Sequence, residues 1–244
     1  MVEITKEMLR KRAEHNEGML STLEEVSLHQ QDIKEITGLD QFCRHLKIIY
    51  LQSNLIEKMS GLSKLKELEY LNLAVNSVKT IEGIRRCESL NKLDMTLNFI
   101  DVEDIEQSVD EMEYCERLED LYLTGNPVTE WPGYKDYILG RLPQIMRLDG
   151  EDIYRSERIK ARARLPELET ELAKLAEETI KKKEYMAKEG IVPEGYKRED
   201  RWNMYVEDQK RKEEDEKKGK ENSMFKDYNS MVEEAKNVSS EIFD

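Results

Sequence analysis

The sequence predicts an α/β fold, a right-handed solenoid of short 22-residue repeats with helical caps and a charged C-terminal tail. Two observations carry the prediction. The pattern LxxLxLxxNx(I/V) recurs five times in the first half of the chain, with its turn positions spaced 23, 22, 22 and 28 residues apart. Charge is also divided unevenly: residues 151–244 carry 25 acidic and 21 basic side chains, whereas residues 1–150 carry 28 and 18. A fixed period of this length identifies stacked units that cannot fold alone.

The elements follow in order. Residues 1–20 form an N-terminal helical cap. Ile4–His15 reads as a helix, with Thr5 as N-cap and Met8, Leu9 and Ala13 available for packing. Residues 21–130 hold the five repeats. They run Leu23-Val26-Leu28-Gln31-Ile33, Leu46-Ile49-Leu51-Asn54-Ile56 and Leu68-Leu71-Leu73-Asn76-Val78, then Leu90-Leu93-Met95-Asn98-Ile100 and Leu118-Leu121-Leu123-Asn126-Val128. The Leu-x-Leu alternation puts both side chains on the inward face of a short strand. Gln31, Asn54, Asn76, Asn98 and Asn126 form a ladder at the turns, where a side-chain amide can satisfy backbone groups that curvature leaves unpaired. Cys43, Cys87 and Cys115 share a column with leucines and read as small buried hydrophobes. The fourth repeat is six residues longer, and Ile105, Val109 and Met112 within it have the spacing of an amphipathic helix.

Residues 131–160 read as a C-terminal repeat cap, with Tyr134, Tyr137, Ile138, Leu142, Ile145 and Leu148 continuing the apolar rhythm. Residues 161–190 read as a charged helix patterned by Leu168, Leu172, Leu175, Ala176 and Ile180, with Pro166 interrupting or restarting the helix before it. Residues 191–244 read as a low-complexity tail, extended or disordered. It includes EDQKRKEEDEKKGKEN at 207–222 and the isolated aromatics Trp202, Tyr205, Phe225 and Phe243.

Composition excludes several functions. The 244 residues carry a net charge of −14 with 38% charged positions. Such a surface repels phosphate backbones and anionic bilayers, so neither nucleic acid nor membrane is an expected partner. No apolar run approaches the roughly 20 residues that span a bilayer, and three cysteines are too few for a disulfide framework, which together point to the cytoplasm. His15, His29 and His45 have no ligand-spaced companions, and no phosphate loop or nucleophile motif is present. The expectation is a chain without catalysis, metal, cofactor or small-molecule substrate.

A curved solenoid instead offers a concave sheet for binding protein. Its exposed positions are the residues between and after the leucines: Ile48, Tyr50 and Gln52; Tyr70, Asn72 and Val75; Lys92, Asp94 and Leu97; Asp120 and Tyr122.

Two segments are more particular than the repeats: AEHNE at 13–17, and SERI at 156–159 after LDGEDIYR at 148–155. With LKIIYLQSNLI at 46–56, LEYLNLAVN at 68–76 and LTGNP at 123–127, they resemble the tilB homologue family of leucine-rich-repeat dynein axonemal assembly factors. The resemblance covers roughly residues 1–165. It implies a cytosolic, non-enzymatic factor that helps chaperones preassemble axonemal dynein arms, with the cilium or flagellum as a second location. The partners it implies are axonemal dynein chains or assembly factors, such as a zinc-finger MYND-domain protein and chaperones. Residues 190–244 lack the strand pattern of the β-rich domain with which family members typically end. A structural component of the axoneme, docking dynein or microtubule-associated proteins on the same surface, is the alternative reading.

Overall fold

The computed structural model describes residues 2–13 and 16–191, together with 200, 202, 203, 206, 207 and 210 as separate helical positions. The chain divides into two compact units, Met1–Trp202 and Asn203–Asp244. His15, Tyr205, Phe225, Phe243 and most of 207–222 lie outside the described residues.

The first unit opens with α1 (Lys6–Arg12), whose first turn is closed by Thr5 Oγ1 accepting from the Met8 backbone N–H at 3.1 Å. Leu9 and Ala13 are fully buried beneath it. The repeats then contribute β1 (Glu25–Ser27), the single-turn α2 (Leu39–Phe42), β2 (Ile48–Tyr50), β3 (Tyr70–Asn72) and β4 (Lys92–Asp94). α3 (Ile105–Met112) occupies the long fourth coil and buries Ile105, Val109 and Met112. β5 (Asp120–Tyr122), α4 (Tyr134–Arg141), β6 (Arg147–Leu148), β7 (Glu151–Asp152) and α5 (Arg155–Lys188) complete the unit.

The seven strands form one sheet in chain order. β1 to β6 are parallel, and β7 turns back antiparallel on β6. The inward column Val26, Ile49, Leu71, Leu93, Leu121 and Leu148 is in strict register and buried. Parallel strands stack about 4.8 Å apart, whereas helices such as α3 and α4 need about 10 Å each. The sheet is therefore the inner wall of the coil.

The four asparagines join successive coils. Asn76 Nδ2 donates to the Leu73 carbonyl of its own coil at 2.9 Å and to Leu51 of the preceding one at 3.0 Å. Its Oδ1 accepts from Ile56 N–H at 3.1 Å. Asn54, Asn98 and Asn126 repeat this pattern, and all four are fully buried. Gln31 departs from it. Having no complete coil before it, its longer side chain turns onto the carbonyls of His29 and Gln30. At the other end Asp149 caps the end of β5 with a carboxylate. It accepts from Leu123 N–H, Thr124 N–H and Thr124 Oγ1 at 2.7–2.9 Å, and from Tyr134 Oη at 2.9 Å.

Each turn reaches its asparagine through a left-handed residue. Ser53, Val75 and Leu97 have φ of 58, 58 and 56°, and Gly125 has 77°. Only the last is a glycine, so the sequence alone does not mark this bend.

Pro166 does not interrupt the helix as the sequence reading expects. α5 runs unbroken from Arg155 to Lys188, so the boundary drawn at residue 160 falls inside it. A proline removes one intrahelical bond, but tertiary packing compensates here. Ala161, Leu168 and Leu172 are buried against the repeat cap. Gly133 leaves room for the Trp131 ring and Leu168, and Trp131 Nε1 donates to Glu171 at 2.8 Å. Further along, Lys183 pairs with Asp101 and Glu103 at 2.7 and 2.8 Å.

Candidate protein-binding face

Parallel register aligns the outward residues of the sheet into rows. Ile48, Tyr70, Lys92, Asp120 and Arg147 form one row, and Tyr50, Asn72, Asp94 and Tyr122 form the next. This follows from the two-residue side-chain period of a strand combined with a near-constant coil length.

An aromatic and cationic cluster occupies the centre. Lys92 Nζ lies 5.1 Å from the Tyr70 ring centroid and 5.0 Å from that of Tyr122, within cation–π range of both. Tyr50 meets Tyr70 edge-on at 5.6 Å, the favoured offset of two ring quadrupoles. Asn72 Nδ2 donates to Tyr70 Oη at 2.9 Å. Burial, with Asp94 adding to it, pushes the Tyr70 phenol above its ordinary pKa, so it stays neutral and able to donate. Gln52 Oε1 is enclosed without a hydrogen-bond partner among the described residues. Ile48, Asn72, Val75 and Asp94 are half-buried beside these groups.

Two of the expected contact residues are not available on the surface. Leu97 is only 4% exposed. Its left-handed backbone turns the side chain over Gly125, where an added Cβ would lie 2.8 Å from Leu97 Cδ2. Asp120 is also only 4% exposed, because Arg147 of the next strand covers it with two bonds at 2.6 and 2.5 Å. That pair presents a guanidinium where the sequence reading expects a carboxylate. Arg147 and Asp149 belong to this end of the face, but neither lies in a copy of the repeat motif. The LeuAspGly that closes the cap was the available signal.

The other chemically active side chains are scattered. His29 Nδ1 contacts Ser27 Oγ at 2.7 Å, and His45 contacts Glu67 at 2.9 Å. The cysteines are buried singly. Among the described residues, no three His, Cys, Asp or Glu side chains converge as a metal ion would require, and no helix is long and apolar enough to cross a membrane.

A parallel sheet whose inward leucines and turn asparagines recur coil after coil defines the class. The chain belongs to the leucine-rich repeat family, whose model matches residues 1–176. Among curated relatives it is similar to dynein axonemal assembly factor 11 of Trypanosoma brucei brucei, 45% identical over 66% of this chain and 42% of that protein. It is likewise similar to protein tilB of Drosophila melanogaster, 45% identical over 66% of this chain and 40% of that one. The chain thus spans about two fifths of the length of these relatives. Among solved structures, a chain in the crystal structure of the Drosophila melanogaster SNF/U2A′ complex matches with a TM-score of 0.57 and 26% identity. The match covers 70% of this chain and 99% of that one.

Proposed function

We propose that this protein is a non-enzymatic adaptor in the cytoplasmic preassembly of axonemal dynein arms, holding a protein partner on its sheet face. The observation that carries this is the Tyr50, Tyr70, Lys92 and Tyr122 cluster on the inner wall of the coil. Rigid aromatic rings with a polar tip and a cation between them are the chemistry of interface hot spots. The assembly role is supported by the names of the two relatives above. A role in binding protein is in keeping with the structural neighbour, whose crystal structure is that of a complex. The partner would be an axonemal dynein chain, a zinc-finger MYND-domain assembly factor or a chaperone.

The test is complementation in a flagellated cell lacking the gene. The Tyr50→Ala/Tyr70→Ala/Tyr122→Ala chain should keep its circular dichroism spectrum and a cooperative, if lower, melting transition while failing to restore dynein arms. In pull-downs its affinity for the partner should fall at least about a hundredfold, since hot-spot truncations cost about 2 kcal/mol or more each. Restored arms and undiminished capture by the folded variant would overturn the reading.

A further inference from the structure

The first ten residues of α5, RSERIKARAR, hold five basic side chains and one acidic one, in a chain whose net charge is −14. Where this segment packs on α4, an open groove of about 550 Å³ forms. Leu139, Gly140, Pro143 and Leu165 make it apolar. Gly140 lets the helices close tightly at its base, since a Cβ there would approach Leu165 Cδ1 to 3.1 Å. Ile159 stands on its flank, 62% exposed.

Four arginines and a single carboxylate, Glu169, border the groove, and two of the arginines are engaged. Arg141 pairs with Asp110 and Glu113 at 2.7 and 2.8 Å. Arg158 donates to the carbonyls of Pro143, at 2.6 Å, and Ile145. Arg155 and Arg162 are exposed and have no carboxylate within ion-pair reach among the described residues. Ile159 lies four residues after Arg155 and three before Arg162, so the three share one flank of the helix. A ligand that meets all three must carry an apolar group between two anionic ones. The arginines are seven helical residues apart, about 10 Å along the axis, and with the reach of their long side chains they match same-face residues four apart in an extended peptide, about 13 Å.

We propose that the groove between α4 and the start of α5 docks an extended acidic segment of a protein partner. Carboxylates four residues apart, on one face of the extended segment, meet Arg155 and Arg162, and the apolar side chain midway between them rests on Ile159 and Leu165. The arginine border supplies charge complementarity to such a segment within an otherwise acidic molecule. The apolar floor selects protein over a phosphate or nucleic-acid backbone, which would leave it uncovered. The surface is separate from the sheet face, so the two could be occupied independently.

The test is selection of a phage-displayed library of random peptides against the whole chain, followed by fluorescence anisotropy of the enriched peptides. Peptides with two acids four residues apart and an apolar residue midway between them should be enriched. Arg155→Glu/Arg162→Glu should weaken their binding at least about tenfold, because like charges are then opposed. Both arginines are exposed, so the fold is expected to survive, and Ile159→Asp gives an independent second loss. Tyr50→Ala/Tyr70→Ala should leave the affinity unchanged. Enrichment without acidic residues, or equal binding by the charge-reversed chain, would overturn the proposal. So would self-association of the chain that the same substitutions abolish, which would assign the groove to a second copy.

Discussion

Asn76 donates its side-chain amide to the carbonyl of Leu51, one coil earlier, at 3.0 Å. The same side chain holds Leu73 of its own coil and the N–H of Ile56, so one buried residue satisfies three backbone groups in two coils. Asn76→Ala orphans the buried Ile56 N–H, which costs about 1–3 kcal/mol, and takes one of two donors from the Leu51 and Leu73 carbonyls, which keep Asn54 and Asn98 respectively. We expect a loss of about 3 kcal/mol, seen as a lower urea midpoint with unchanged slope. Asn76→Asp should be at least as damaging at neutral pH, because a carboxylate cannot donate to Leu51 or Leu73.

Asp104 precedes α3 and accepts from Thr80 Oγ1 at 3.2 Å. Burial holds its carboxyl above the ordinary range, and Glu103 and Asp101 add to this, while the Thr80 bond and Lys183 oppose it. The folded state therefore binds this proton more tightly than the unfolded chain does. Its contribution is fully present below the unfolded pKa and is lost as pH rises through the folded one. Asp104→Asn imitates the protonated form and can still accept from Thr80. Urea titrations should find the variant more stable than the parent at pH 7, with the difference vanishing near pH 3. Equal stability at both pH values would contradict this assignment.

What the sequence reveals follows the range of the interaction concerned. Inward positions such as Leu71 and Leu93 are legible because their burial depends only on coil period, which the chain spells out. Leu97 and Asp120 occupy outward positions of the same template, yet one folds over Gly125 and the other is covered by Arg147. Those neighbours lie one coil away and differ from coil to coil, so no repeat pattern encodes them. Pro166 misleads for the opposite reason: local helix propensity argues for a break, and packing of Ala161 and Leu168 on the repeat cap overrides it. Arg155 and Arg162 are visible as charge, but the groove beside them exists only once α5 lies on α4.

Burial raises the thiol of Cys43 to about 11 and those of Cys87 and Cys115 to about 12. The last two also donate to the carbonyls of Leu62 and Ile84 at 3.6 and 3.5 Å. At pH 8 the reactive thiolate is then about one part in a thousand or less. Iodoacetamide followed by mass spectrometry should leave the folded chain unmodified over minutes, whereas the urea-unfolded chain takes up three adducts. Rapid labelling of the native protein would show that one of these columns opens to solvent.

Val75 combines two demands on one residue. It precedes Asn76 with φ of 58°, a left-handed conformation that costs a residue with a Cβ about 1–2 kcal/mol and is least tolerated by β-branched side chains. The equivalent position in the fifth coil is Gly125, free of that penalty. Asparagine adopts the left-handed region readily, so Val75→Asn should stabilise the solenoid by about 0.5–1 kcal/mol after the loss of some half-buried apolar surface. If Val75 also contacts the partner on the sheet face, the same substitution should weaken capture while raising the urea midpoint. Unchanged capture with a higher midpoint would place the partner elsewhere, and a fall in both would mean that the valine's packing outweighs its strain.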